Sequence, residues 1–256
     1  MRVRAVALAV AVAVAASACG YGRSAAPVAP SRAGTGAPTA ATPSVAPDPV
    51  AACCQASSPL RAAGRSPARQ LVIVSAAAYG ATYAAVTAYR AAGGRWLRVY
   101  GPWTARIGRG GMAVPGGKRE GDGRTPSGTY PFSFFFGVEP NPGVTFGYRR
   151  SQPYDVWDDD PASPRYNQWV DDRHADPGAA PEPMHVSGYD YGAVIAYNTA
   201  RTPGLGSAIF LHVNIGIATA GCVTLPPQEL LSVLRWLRPA LSPRIELGVD
   251  VTPPGG

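Results

Sequence analysis

The stretch SAIFLHVNIGIATAGCVTL, Ser207 to Leu225, decides how this chain is read. Ala208–Val213 is a short apolar run that predicts a strand carrying His212 at its end, and Cys222–Leu225 predicts a second extended piece. The connecting segment contains Gly216, and Gly221 leaves the backbone beside the Cys222 thiol unobstructed. A cysteine acts as a nucleophile only once its thiol is ionised, and an imidazole is the usual partner for that. Two neighbouring strands joined by so short a loop bring a ring nitrogen within reach of sulfur, with the Gly221 and Cys222 N–H groups facing a developing oxyanion. The residues alone also admit a second reading, in which Cys222 is a small core hydrophobe and His212 a satisfied buried imidazole.

Outward from this stretch the folded part reads as mainly β with one helix near the C-terminus. Pro227–Arg238 predicts that helix: Pro at its start, Leu230, Leu234 and Leu237 on one stripe, Arg235 and Arg238 near its end. Arg244–Val251 closes as a strand. Upstream, Gln70–Ser75 is apolar, and Thr82–Arg90 and Arg95–Tyr100 flank Ala91-Ala92-Gly93-Gly94 as a hairpin, although the Ala-rich first arm also suits a helix. Ala105–Gly108, the aromatic Gly128–Gly137 and Ala193–Tyr197 predict further strands. The 30 Gly and 27 Pro argue against a long-helix protein.

Three blocks resemble one known family. The pattern His212, loop, Thr219-x-Gly221-Cys222-apolar is similar to the signature of the L,D-transpeptidase (YkuD-type) catalytic domain. Lys118-Arg119-Glu120-Gly121-Asp122-Gly123-Arg124-Thr125-Pro126-Ser127-Gly128-Thr129-Tyr130 resembles that family's Thr-Pro-x-Gly-x-aromatic segment, as found in a bacterial lipoprotein subgroup. Trp157 through Tyr166-Asn167 resembles the same subgroup. The resemblance runs from about Arg69 to Val249 and implies the YkuD-like fold and a peptidoglycan cross-linking enzyme that needs no cofactor and no metal. In that family a Cys thiolate attacks the carbonyl between an L-centre and a D-amino acid of a stem tetrapeptide. D-Ala leaves, and the side-chain amine of a neighbouring stem resolves the acyl-enzyme. Carried over, Cys222 is the nucleophile, His212 the base, Val213 the source of a carbonyl that orients the imidazole, and Gly221 an oxyanion donor.

Two departures stand out. The family's common Ser-His-Gly-Cys is here Thr219-Ala220-Gly221-Cys222, without the second His, and the segment from His212 to Cys222 is shorter than usual. The first puts any auxiliary imidazole in doubt; the second implies altered substrate access. Hydrolysis by the same thiol, as an L,D-carboxypeptidase or amidase, and a non-catalytic wall-binding lipoprotein are the competing readings.

Lys118, Arg119 and Arg124 are candidates to hold a stem-peptide carboxylate, and Tyr197 and Asn198, with Tyr191, are candidates to line the cleft. Asp155 to Asp176 holds seven Asp against Arg165 and Arg173, which reads as a solvated loop or as a negative rim that attracts a cationic acceptor amine. His174 and His185 read as surface residues. Three scattered His give no zinc ligand set, Cys follows His rather than preceding it as in papain-like hydrolases, and no P-loop or Rossmann fingerprint occurs.

The N-terminus reads as an address. Arg2 and Arg4 precede the apolar run Ala5–Ala16, too short to span a membrane but suited to a signal peptide. Cys19 follows Ala16-Ser17-Ala18 as in a lipobox. The expected organisation is a signal peptide at 1–18, a lipidated Cys19, an Ala/Pro-rich tether at 19–67, a catalytic domain at 68–252 and a tail at 253–256. The tether carries almost no large apolar residue to offset its ordering entropy. The expected product is a monomer exported and held by lipid on the outer face of a cell membrane. With Cys19 lipidated, Cys53 and Cys54 pair with each other, pair with another chain or stay reduced, which leaves Cys222 as the free thiol. Of the net charge of +7, the catalytic region holds little, with 17 basic and 15 acidic residues from position 66 onward. The basic balance belongs to the anchor and tether, next to an anionic membrane face, so no nucleic-acid partner is expected.

Overall fold

The computed structural model describes residues 67–254. The signal segment, Cys19, the Cys53-Cys54 pair and all but the last residue of the tether lie outside the described residues. Twelve strands and one α-helix make up the described part: β1 (Gln70–Ala76), β2 (Tyr83–Ala92), β3 (Arg95–Arg106), β4 (Gly128–Gly137), β5 (Tyr148–Arg150), β6 (Asp155–Asp158), β7 (Gln168–Asp171), β8 (Glu182–Pro183), β9 (Gly192–Ile195), β10 (Phe210–Val213), β11 (Val223–Leu225), α1 (Pro227–Trp236) and β12 (Arg244–Val249). The mainly β class with one helix is as the sequence implies.

Nine strands form one sheet in the order β12-β1-β2-β3-β11-β10-β9-β4-β5. The first half of β4 also pairs with β12, Thr129 opposite Glu246, so the sheet curls round on itself like a barrel. The Ala-rich arm is a strand, not a helix. Its Ala84, Val86 and Ala88 alternate inward, and Gly93 and Gly94, with φ of +57° and +74°, form the tight turn into β3. That turn needs positive φ at two successive positions, which glycine supplies at no steric cost.

Inside the curl lies the main core. Val72 and Val74 of β1, Val86 of β2, Leu211 and Val213 of β10 and Val223 and Leu225 of β11 meet Leu230, Val233 and Leu234 of α1. The helix ends two residues sooner than its apolar stripe predicts. Pro239 forces Arg238 into an extended conformation (φ −129°, ψ 122°), and Leu237 is already extended.

The other face of β9 and β10 carries a second apolar cluster, in which Phe136, Trp157, Met184, Tyr189, Val194 and Phe210 surround Cys222. A small sheet, β7-β6-β8, stands beside it. Two of its strands, β6 and β7, come from the acidic stretch, which is therefore not a solvated loop throughout. Asp155 and Asp158 are buried. Asp155 accepts from Trp169 Nε1 at 2.8 Å and Gln152 N at 2.7 Å, and Asp158 accepts from the Ser163 hydroxyl. Buried carboxylates are tolerated here because each oxygen finds a donor, the second oxygen of Asp158 accepting from Asp160 N.

Candidate active site

His212 and Cys222 reach one place because β10 and β11 run parallel. Leu211 pairs with Val223 and His212 with Thr224, which sets Cys222 level with Phe210. Side chains two apart on a strand share a face. His212 and Cys222 are thus diagonal neighbours on the face away from the main core, and both line a cavity of about 580 Å³. The parallel pairing is a finding the spacing does not reveal. The chain returns over a very short connection because residues 214–221 turn outward. Thr219 bridges to the segment after β3, donating to Ile107 O at 3.0 Å and accepting from Arg109 N at 2.7 Å.

The imidazole is held in one tautomer. His212 Nδ1 faces the Val213 carbonyl at 3.0 Å and the Gly188 carbonyl at 3.1 Å, and two acceptors require that this nitrogen carry the proton. Nε2 then presents its lone pair. Burial pushes His212 down to about 4, against which the two carbonyls act only weakly. Burial likewise pushes the Cys222 thiol up, and the Glu182 carboxylate adds to this. Both groups therefore rest neutral near pH 7. The thiol donates to Ala208 O at 3.2 Å and its sulfur accepts from Phe210 N at 3.3 Å.

The loop before Cys222 is fixed by Thr219. Its hydroxyl donates to Cys222 O at 2.7 Å and accepts from Gly221 N at 3.1 Å. An oxyanion would have to take the Gly221 N–H from Thr219. Gly221 is glycine for want of space: a Cβ there would stand 2.9 Å from Arg124 O.

Of the five sequence candidates for substrate contact, Lys118 alone lines this cavity. It is 4 % exposed and donates to Asp122 Oδ1 at 2.6 Å and Arg119 O at 2.7 Å. Arg119 turns back onto the Gly116 and Lys118 carbonyls, and Arg124 is exposed, meeting the site through its backbone carbonyl. Tyr197 donates to Leu205 O, and Asn198 closes its own loop through Thr202 and Gly206. Tyr197 lines a separate cavity with Trp157, Asn167 and Trp169. The side chains of Tyr197 and Asn198 are engaged locally, which is why they do not reach the thiol.

The cavity wall also includes Arg109, Glu182 and Tyr189, which sequence reasoning passed over, Glu120 and Ser207 from the quoted blocks, Asp159 from the acidic stretch read as a possible rim, and an apolar lip of Val186, Ile215 and Ile217. Glu120 accepts from the Tyr166 hydroxyl and from Ser207 Oγ at 2.7 Å. Burial, with Glu120 nearby, pushes Asp159 up to about 6. Asn167 binds the third sequence block to the site strand, accepting from Trp157 Nε1 at 3.0 Å and Ala208 N at 3.2 Å. Ala208 has a positive φ of 51°, which is why β10 begins at Phe210 rather than at Ala208. Among the described residues no cluster of metal-ligating side chains occurs.

A buried thiol and a tautomer-fixed imidazole in one cavity of a curled β-sheet define a cysteine–histidine site. The family model for the L,D-transpeptidase (YkuD) catalytic domain matches residues 72–246, and the chain belongs to that family, whose enzymes work on peptidoglycan. No curated protein matches the chain. Among solved structures it is similar to the helical cell shape determining protein Pgp2 from Campylobacter jejuni, at 14% identity and a TM-score of 0.35 over 72% of this chain. The match spans 48% of that protein, about half its length.

Proposed function

We propose that the protein is a cysteine-dependent peptidoglycan L,D-transpeptidase. The observation that carries the reading is the placement of Cys222 and His212 on one sheet face in one cavity, with Nδ1 held by Val213 and Gly188. Cys222 attacks the carbonyl between the L-centre and the D-residue of a stem tetrapeptide. The C–S bond forms, the C–N bond to D-Ala breaks, and the acyl group is held on sulfur. His212 is the imidazole base of the site, and the amine of a neighbouring stem resolves the thioester. Lys118, a cation in the cavity wall, is the partner for a stem carboxylate. Its third N–H is available beside those given to Asp122 and Arg119.

Export by the segment 1–18, lipidation of Cys19, the tether at 19–67 and a monomeric state belong to the same proposal. The test is incubation of the protein with a stem tetrapeptide, with and without an acceptor stem. Cross-linked dimer supports transfer. Tripeptide alone assigns the thiol to hydrolysis, and a folded protein that forms no adduct is a wall-binding module.

A further inference from the structure

A second cavity, of about 400 Å³, lies where β4, β5 and β9 meet β6 and β7 of the small sheet. Its size suits a small ligand. Aromatic rings form much of its wall, and their polar ends are tied elsewhere. Trp169 Nε1 donates to Asp155 at 2.8 Å, Trp157 Nε1 to Asn167 at 3.0 Å, and the Tyr197 hydroxyl to Leu205 O. The rings are thereby held in place and give the cavity their carbon surfaces. The polar side chains Ser133, Arg149, Gln168, Thr199 and Arg201 complete the lining, with no hydrogen-bond or ion-pair partner among the described residues. The Arg149 guanidinium lies over the Trp169 ring, 4.7 Å from its centroid, which leaves its in-plane N–H groups for a ligand. Two guanidiniums and no carboxylate line this cavity, so a cation is repelled from it.

We infer that this cavity binds an N-acetylated amino sugar of the peptidoglycan glycan strand, while the stem attached to that strand occupies the catalytic cavity. The inference rests on the peptidoglycan reading of the catalytic cavity. A pyranose has apolar C–H faces and a rim of hydroxyls, and aromatic walls with a polar mouth match both. The acetamide carbonyl and the hydroxyls accept from Arg149 and Arg201, and Gln168, Ser133 and Thr199 can donate or accept in turn. A stem carboxylate would satisfy the guanidiniums but leave the aromatic walls unused. The stem's free amine is the wrong charge.

The position agrees with the chemistry of the stem. Ala208 stands between the two cavities: its N–H donates to Asn167 Oδ1 at 3.2 Å, and its carbonyl accepts from the Cys222 thiol at 3.2 Å. Trp157, in the wall of the second cavity, meets Phe210 edge-on with centroids 5.0 Å apart, and Phe210 N donates to the sulfur. One residue thus separates the wall of the second cavity from the nucleophile. Three stem residues remain between the sugar and the departing D-Ala, a reach of roughly 10 Å when extended. A sugar site that serves this thiol has to lie that close.

The test is calorimetric titration of the full-length protein with chitotetraose, which carries N-acetylated sugars and no peptide, and separately with free stem tetrapeptide. The wild type should bind chitotetraose. Arg149→Ala and Arg201→Ala should each bind it about tenfold more weakly, and Trp169→Ala should lose it. Should Trp169→Ala not fold, the two arginine variants, both at exposed positions, carry the same test. A tetrapeptide still joined to its disaccharide should also acylate Cys222 faster than free tetrapeptide, and that advantage should vanish in the arginine variants. A wild type that does not bind chitotetraose, or folded arginine variants that bind it equally well, would overturn the sugar site. So would arginine variants that lose affinity for the free tetrapeptide instead, which would give the guanidiniums to a stem carboxylate. Arginine-dependent sugar binding by a protein that forms no acyl adduct defeats the functional reading and leaves the sugar site standing. An adduct without sugar binding defeats the sugar site alone.

Discussion

Cys222 and His212 are both neutral at rest, and that neutrality has a cost that depends on pH. His212 is held near 4 against 6.5 in an unfolded chain, so between those values the unfolded chain binds the extra proton and stability falls as pH drops. Glu182 acts in the opposite sense. Held near 7 against 4.5, it favours the folded state fully below 4.5, and that contribution is lost as pH rises to 7. Urea midpoints over a pH series should therefore show Glu182→Gln gaining on the wild type as pH rises through this window, and a gap that does not change with pH contradicts the assignment. The two central residues were legible because Gly221-Cys222 and His212 lie close together in sequence, next to apolar runs. Glu182 and Tyr189 were not. They arrive from a different part of the chain, and only the pairing of β8 with β6 turns Glu182 towards the thiol.

At the level of elements, apolar alternation and turn glycines revealed most of the large sheet, but not its pairing. The parallel register of β10 and β11 depends on Thr219 bridging to residues 107–109, which no local pattern signals. The acidic stretch hid the small sheet because its carboxylates read as solvated, whereas Asp155 is a buried acceptor for Trp169. Asp155→Ala leaves that indole N–H without its partner and should cost about 1–3 kcal/mol in urea unfolding, while Cys222 alkylation continues at a similar rate. Loss of alkylation without loss of stability would argue that Asp155 serves the chemistry instead. Gly221→Ala should cost both stability and reactivity. Its Cβ meets Arg124 O at 2.9 Å, so the segment before Cys222 must shift, at about 1–3 kcal/mol and with slower acylation. Wild-type acylation in that variant would show that the approach of these two backbones does not position the thiol.

On the scale of the whole molecule, the proposal gives binding and anchoring to different stretches of chain, the first to the region from position 66 onward with its nearly balanced charge and the second to the basic N-terminal part. The proposed lipid on Cys19 predicts that the wild type sediments with membranes and that Cys19→Ser moves to the soluble fraction with its Cys222 alkylation intact. A Cys19→Ser protein that still sediments in high salt would place the anchor elsewhere. The proposed chemistry depends most on the thiol. Incubating the full-length protein with a stem tetrapeptide and weighing it intact, then mapping the modified peptide, tests this directly. A mass gain equal to the tetrapeptide less D-Ala, mapped to Cys222 and absent from Cys222→Ala, is the result predicted. A folded protein with no gain, or with the acyl group on another residue, would contradict it.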